Sequence, residues 1–432
     1  MFIRLFIVFS FILGNIFLSV EAQEENLSQP IPGQFIVRFK DSNESSNDKA
    51  DKLIKKHGGK KLNVYDNVFK GAVVSVPQGK EKDLKEDADI EQVVQDFTVY
   101  ANDKSDKSNE FNSNGKLSSQ GMGGSSSIQI LPTGVNYIDA DLNTTNEGNG
   151  ITVAVLDTGV DFDHPDLMVD IALSRDFSGN NTGGDDNNFG TTKGHGTHVA
   201  GVIAALNNNI GVIGVGSQIN IVSVKVLQGS GSGSFGSIIA GLDYVTSNAN
   251  IIGVANLSLG AKGGTSPSQG FIDASNLLHA AVQRATNAGV VVVVAAGNES
   301  VDVTSNNCVP AMYPEAISVS AIDDRNGAVG QDSWAYFSNY GLEVDIIAPG
   351  VNILSTSNDG KTSVLSGTSF SAPHVAGTVA LYIARNGRPS TGDARLLSSV
   401  LSAISTPRSL LSGEPQDGSI EPSCYANGAS LQ

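Results

Sequence analysis

Apolar positions along this chain follow two different periods. In residues 33–100 the apolar runs are mixed with polar positions. Gln34–Lys40 (QFIVRFK) alternates with a period of two, which predicts a half-buried strand. Ser45–Gly58 (SSNDKADKLIKKHG) carries helical spacing and stops at Gly58-Gly59. Gly71–Pro77 (GAVVSVP) and Asp89–Ala101 (DIEQVVQDFTVYA) each predict a further strand, so this stretch reads as a small α+β unit. Residues 102–127 are rich in Asn, Ser, Gly and Lys, the composition of an exposed linker. From Ile128 the period changes. GITVAVLDTG, INIVSVKVL, GVANLSLG and GVVVVVAAGN are short runs dense in Val and Ile that end in Gly, Asp or Asn. The helical segments THVAGVIAALN, SIIAGLDYVTSN and DASNLLHAAVQRATNAG lie between or after them. Strands apolar on both faces, alternating with helices, predict a mainly parallel sheet covered on both sides. Ligands of such sheets sit at the C-terminal ends of the strands, so the polar residues that close these runs are the ones to inspect.

Composition narrows the picture. The 432 residues are 40% hydrophobic and 16% charged, enough apolar material for a large core. A formal net charge of −17 argues against a nucleic-acid partner. The charge is uneven: residues 128–432 hold 11 Lys+Arg against 26 Asp+Glu, and residues 23–127 hold 15 against 17. That break places a domain boundary between the two units. At the start, Arg4 precedes the apolar run Leu5–Val20, and Val20-Glu21-Ala22 offers a cleavage site. This pattern predicts a secretory signal peptide over residues 1–22, hence a secreted, extracellular product. The run is short for a membrane anchor and contains Gly14-Asn15, and no later stretch reaches 18 uninterrupted apolar residues, so no membrane partner is expected. The two cysteines, Cys308 and Cys424, could pair in a secreted chain or stay free; sequence leaves this open.

Three segments carry chemistry. VAVLDTGVDFDHPDL sets Asp157 just past a buried strand, GHGTHVAGVIAAL sets His195 at the start of an apolar helix, and SGTSFSAPHVAG sets Ser369 at the start of another. Asp, His and Ser suit nucleophilic catalysis: the histidine takes the serine proton, and the buried carboxylate orients the imidazole and stabilises its cation. Taken singly, Asp157 could cap a loop. His198, three residues after His195, could complete a metal pair, though a structural helix residue suits it better, as it does His164 and His374. The chain order Asp-His-Ser is that of subtilisin and differs from the orders of α/β-hydrolases and chymotrypsin.

With these motifs together, residues 128 to about 400 resemble a subtilisin-family serine protease. One departure is Phe370, where the family usually has methionine. The resemblance implies a three-layer α/β/α peptidase domain over residues 128–432, with Asp157, His195 and Ser369 as the catalytic triad. It also gives Asn298, at the end of the valine run, the role of oxyanion donor beside the Ser369 N–H. The sequon Asn298-Glu299-Ser300 is then a coincidence of residues. The family binds substrate as an added strand, which here implies Gly231, Ser232 and Gly233 on one side and Ser258, Leu259 and Gly260 on the other. Ala295 to Gly297 would wall the primary specificity pocket. No acid lies deep in these segments, so large apolar or aromatic residues before the cut bond are expected, with broad tolerance and a minor effect of Glu299 on Lys. Cys308 and Val309-Pro310 fall where the family closes the pocket, with the bond before Pro310 expected to be cis.

The loop AALNNNIGVIGV is similar to that of subtilisins which hold a structural Ca²⁺. The implied ligands are Gln129, Asp166, Leu206, Asn208, Ile210 and Val212, an all-oxygen set; a plain surface loop is the alternative. Residues 23–101 resemble the family's inhibitory propeptide, making the chain its own intramolecular inhibitor. Self-cleavage is expected between Ala101 and Ile128, within or near the 102–127 linker. Gln129 favours the late end of that interval and the poor fit of GGSSS to an apolar pocket opposes it. A monomer acting on proteins or peptides is expected. Two further readings remain: a binding protein that kept the fold and lost catalysis, and an esterase using the same triad. Sequons at Asn26, Asn43, Asn143 and Asn180 are candidate glycosylation sites, while Asn256 lies in a run expected to be buried.

Overall fold

The computed structural model describes residues 27–102, 129–186, 194–328, 330–389, 395–428 and 431. The expected signal peptide, most of the linker and the sequon at Asn26 lie outside the described residues.

The leading unit contains β1 (Pro30–Phe39), α1 (Ser46–His57), β2 (Lys60–Tyr65), β3 (Gly71–Ser75) and β4 (Ile90–Ala101). The strands form an antiparallel sheet in the order β4-β1-β3-β2. Helix α1 begins where the Ser45 hydroxyl accepts from the Asp48 N–H (3.1 Å) and carries Lys55 and Lys56 in its last turn, where positive charge suits the helix C-terminus. Alternation divides the strands between two cores. Phe35, Val37, Phe39, Val74 and Ile90 pack with Ala50 and Leu53 of α1. Ile36, Val73, Val94, Phe97 and Val99 point the other way and join the core of the larger unit.

The larger unit is built on β5 (Thr152–Asp157), α2 (His195–Ala204), β6 (Asn220–Lys225), β7 (Ser232–Ser234), α3 (Phe235–Ser247), β8 (Ile252–Leu257), β9 (Leu259–Lys262), α4 (Gln269–Asn287), β10 (Val291–Ala295), β11 (Ile317–Asp323), β12 (Ile346–Pro349) and α5 (Thr368–Asn386). The central sheet runs β12-β11-β10-β8-β5-β6 with every neighbouring pair parallel. Val153, Val155, Val254, Val291 and Val293 face α2 and α5, against Val199, Ile203, Phe370 and Val375. Ala154, Leu156, Leu257, Val292 and Val294 face α3 and α4, against Ile238, Leu242, Leu278 and Val282. Burying one such aliphatic side chain contributes about 1.5–3 kcal/mol, so two full faces make this a core rather than a surface sheet. The result is the expected three-layer α/β/α domain behind an α+β unit.

The two units meet on α3 and α4. The Asp243 carboxylate of α3 accepts from the N–H groups of Asp66 (3.1 Å), Asn67 (2.6 Å) and Val68 (2.7 Å), and from the Asn67 amide (2.9 Å). Tyr65 donates its hydroxyl to the Gly236 carbonyl (3.0 Å). In return Asp96 of β4, fully buried, accepts from the N–H of Gly236 (3.2 Å) at the start of α3, from Phe97 N–H (2.9 Å) and from the Gln34 amide (2.8 Å). A carboxylate at a helix N-terminus meets unsatisfied N–H groups and the positive end of the dipole. Burial nevertheless raises the Asp96 pKa.

Three local results bear on the sequence expectations. Cys308 and Cys424 are both buried and free, so they form no disulfide. Asn143 is buried and donates its amide to the carbonyls of Ala426 (3.2 Å) and Leu431 (3.3 Å). That corrects its reading as a glycosylation candidate, because a glycan on that nitrogen needs an exposed amide. Asn43 and Asn180 are exposed.

Candidate active site

Asp157 ends β5, a strand buried on both faces in the middle of the sheet. Its Oδ1 accepts from the Thr158 N–H (2.6 Å) and lies 2.8 Å from His195 Nδ1. Both side chains are fully buried, so this pair is screened from water. His195 opens α2 directly after Gly194, whose φ of +75° suits glycine. At Gly196 a Cβ would stand 2.1 Å from the Gly159 carbonyl oxygen, so only glycine lets this helix start lie against the end of β5. The Phe370 ring, fully buried, sits 5.2 Å from the His195 ring and 4.6 Å from that of His198. It fills the space beside the imidazole with apolar surface.

Ser369 stands in the first turn of the 19-residue α5 and is fully buried. Its hydroxyl donates to the Ser258 carbonyl (3.0 Å), and the Ser258 hydroxyl donates back to the Ser369 carbonyl (2.7 Å). Asn298 follows β10. Its Oδ1 accepts from the Thr368 N–H (2.9 Å) and hydroxyl (3.1 Å), which leaves its Nδ2 aimed into the site. That Nδ2 donates to the carbonyl oxygen of Asn102 at 2.5 Å, and the Ser369 N–H approaches the same oxygen at 3.4 Å. The sequence placed Asn298 here; it did not reveal Thr368, which orients it and also accepts the Gly297 N–H (3.0 Å).

Asn102 arrives at the end of β4. Beyond its own sheet, β4 lies antiparallel between β7 and β9, with Val99 opposite Gly233, Tyr100 opposite Ser232 and Gly260, and Ala101 opposite Leu259. The Ala101 N–H donates to Gly231 (2.8 Å) and the Asn102 N–H to Ser258 (3.2 Å). All six residues expected to flank a substrate strand therefore flank this one. Asn102, Gly260, Ala295–Glu299, Cys308 and Asn339 line a cavity of about 540 Å³. Gly297 has a φ of +107°, and a Cβ there would meet the Asn339 amide at 2.3 Å. The Val309-Pro310 bond is cis.

Two buried ionisable groups near Asp157 and His195 escaped the sequence reading. Lys225, at the end of β6 and fully buried, donates to the Thr158 carbonyl. Asp186, 1% exposed, accepts from the Thr197 hydroxyl (3.0 Å), and desolvation pushes its pKa up to about 8. His198 donates its Nε2–H to the carbonyls of Ile353 and Ser363 (3.1 Å each), and burial lowers its pKa to about 3. That is a packed, neutral histidine. His374, held at 2.7 Å from the Phe370 carbonyl, is lowered by burial to about 4. His164 bridges the Lys361 carbonyl and the Asp166 N–H.

The loop after α2 gathers the expected cation ligands. Gln129 donates its amide to the carbonyls of Leu206 and Val212 (2.7 Å to the latter). Asp166 Oδ2 accepts from the Val212 N–H (2.9 Å), while its buried Oδ1 has no hydrogen-bond partner. Asn208 Oδ1 accepts from the Ile210 N–H (3.0 Å), the contact through which Ile210 meets the cluster. Ile130 pairs with Val212 and ties the start of the domain to the loop. The orphaned carboxylate oxygen and the converging carbonyls fit a hard cation. Burial raises the Asp166 pKa, the penalty that a bound cation would offset.

The chain is 33% identical over 384 residues to Subtilisin J of Geobacillus stearothermophilus, covering 88% of this chain and 86% of that protein. It is 43% identical over 260 residues to the Thermostable alkaline protease of Halalkalibacterium halodurans, covering 60% of this chain and 64% of that protein, so it spans just under two thirds of that relative's length. The crystal structure of a cold adapted subtilisin-like serine proteinase superposes with a TM-score of 0.53 at 32% identity, covering 70% of this chain and 99% of the other. The Subtilase family profile matches residues 148–403, more than half of the sequence, and the chain belongs to the subtilase family of serine proteases.

Proposed function

We propose that this chain is made as a secreted, self-inhibited precursor of a serine endopeptidase. The observation that supports this most is the Asn102 carbonyl, held by Asn298 Nδ2 on a strand paired along both edges. Strand β4 and Asn102, at the end of the leading unit, thus occupy the site as a peptide would, which is how an intramolecular inhibitor acts. Ser369 is the nucleophile. His195 takes its proton and later gives it to the leaving amine, and Asp157 keeps the imidazole oriented and stabilises its cation. Asn298 and the Ser369 N–H hold the developing oxyanion, aided by the N-terminus of α5. Main-chain pairing to Gly231, Ser232, Gly233, Ser258, Leu259 and Gly260 gives affinity that is tolerant of sequence. The small walls Ala295 and Gly297 leave room for a large apolar or aromatic side chain before the cut bond. The enzyme works as a monomer.

The test is a casein digest by the processed protein, with and without a fluorophosphonate. Labelling of Ser369 with loss of proteolysis, and cuts mainly after large apolar residues, are expected. A labelled enzyme that cleaves esters and leaves casein intact would make it an esterase. Failure to label would make it a binding protein, and cuts only after Arg or Lys would overturn the specificity.

Calcium fits the loop around Asp166. Gln129, Asp166, Asn208 and the carbonyls of Leu206, Ile210 and Val212 would hold it. Its contribution is structural, since it would stabilise the folded state by mass action. At a free calcium concentration about 100 times Kd the stabilisation is about 2.7 kcal/mol. EDTA is therefore expected to shorten the half-life at elevated temperature several-fold, and Asp166→Asn to remove most of that sensitivity. An unchanged half-life in EDTA would refute the site. No described helix is long and apolar enough to cross a membrane.

A further inference from the structure

We infer that the first self-cleavage falls directly after Asn102, and that the docked register of β4, not the identity of residue 102, selects that bond. This rests on the serine-protease reading above. Asn102 is the residue whose carbonyl sits between Asn298 Nδ2 and the Ser369 N–H. Its own N–H is bound to Ser258, and Tyr100 and Ala101 are paired on both sides. A slip of one residue would exchange every side chain's face.

The register has a strong anchor six residues upstream. Asp96 is fully buried; it accepts from Gln34 and Phe97 of its own unit and from the Gly236 N–H across the boundary between the two units. Moving β4 one position against the larger unit would take the Gly236 N–H away from this buried carboxylate and bring Gln95 or Phe97 to it. Losing a donor at a buried carboxylate disfavours every other register. Asp243 clamps the loop Asp66–Val68 from the other unit and fixes the same docking. The strand therefore delivers whichever residue stands six positions after Asp96.

Gln129 is meanwhile seated in the loop with Leu206 and Val212. The 26 residues between, 103–128, can reach up to about 90 Å when extended, so both ends can be in place in the uncut chain. In the cleavage, Ser369 Oγ adds to the Asn102 carbonyl carbon as His195 takes the hydroxyl proton. The carbon–nitrogen bond to residue 103 breaks, and the amine leaves with that proton. Water then hydrolyses the ester, giving an Asn102 α-carboxylate and a free Ser369 hydroxyl. The processed enzyme starts at residue 103 and carries 103–128 ahead of its fold.

The full chain settles this in a time course read by intact mass and N-terminal sequencing. Three forms are compared: wild type, Ser369→Ala, and a chain with one glycine inserted between Ala101 and Asn102. The expected first fragment ends at Asn102 in the wild type and at the inserted glycine in the insertion chain, with no fragment from Ser369→Ala. A Ser369-dependent first cut elsewhere, such as next to Ile128, overturns the inference and leaves the protease reading standing. A cut that stays after Asn102 in the insertion chain overturns the role of register. If the insertion chain makes no fragment, register selection is overturned, since the glycine would then be seated and refused. A wild type that shows no Ser369-dependent cut overturns both the inference and the reading beneath it.

Discussion

Ser369→Ala is expected to lower kcat on a peptide substrate by about 10⁶ and to leave the leading unit covalently attached. The figure is the one known for the nucleophile of subtilisin, a relative of this chain, and is borrowed rather than derived. The physical reason lies in the arrangement. The side chain is fully buried at the start of α5, and removing one oxygen leaves packing unchanged. The hydrogen bond from its hydroxyl to the Ser258 carbonyl is lost, a change of about 0.5–1.5 kcal/mol in stability. The fold should therefore survive while the covalent intermediate becomes impossible. His195→Ala should lose about as much, and the double variant little more, because residues acting as one unit are not additive. Comparison of kcat for the three variants, with circular dichroism to verify folding, checks this. Retention of more than a thousandth of the activity in Ser369→Ala would show that another group is the nucleophile.

Burial also shapes the pH response expected around Asp157 and His195. Asp186 lies close enough to interact with Asp157, His195 and Lys225, and neither Asp186 nor Lys225 is exposed. Desolvation raises the Asp186 carboxyl to about 8, so its charge would change under mildly alkaline conditions. An activity profile will report the cluster rather than one histidine.

How much of this was legible beforehand follows from which forces are local. The valine run at 290–294 and its neighbours are apolar on both faces, and that alone implied a covered parallel sheet. The ends of those runs then pointed to Asp157 and Asn298. Strand β2, KKLNVY, was missed because its lysines break the alternation; it forms because Val64 and Tyr65 pack while Lys60 stays exposed. Lys225 was invisible for the opposite reason: one charge inside INIVSVKVL reads as an outward position, yet it turns in to the Thr158 carbonyl. Thr368, Asp96 and Asp243 act through partners 70, 140 and about 176 residues away. No window of sequence contains both members of such a pair. Asn143 failed similarly, since its partners Ala426 and Leu431 lie at the far end of the chain.

Asn298→Leu is expected to reduce kcat by about 10²–10³ with a much smaller change in KM. That magnitude again comes from subtilisin, where loss of such a donor corresponds to about 2.7–4 kcal/mol of transition-state stabilisation. Leucine matches asparagine in size and removes both polar atoms. The donor toward the substrate carbonyl disappears, and the Thr368 N–H loses its acceptor. The second loss destabilises the start of α5 by about 1–3 kcal/mol, the cost of an unsatisfied buried donor. Binding in the ground state depends mainly on main-chain pairing to β7 and β9, which the substitution does not touch. What changes is the oxygen: neutral in the substrate, negatively charged in the tetrahedral intermediate, where a donor in a dry site matters most. The Ser369 N–H, 3.4 Å from the neutral carbonyl oxygen, closes in as the carbon becomes tetrahedral. It alone cannot replace the Asn298 amide. Thr368→Val separates orientation from donation. It deletes the hydroxyl that donates to Oδ1 and accepts the Gly297 N–H, but keeps the backbone donor, so a smaller loss in kcat is expected. If Asn298→Leu raised KM and left kcat intact, the amide would be a binding group. If mass spectrometry found a glycan on Asn298 of active enzyme, the nitrogen could not be an oxyanion donor at all.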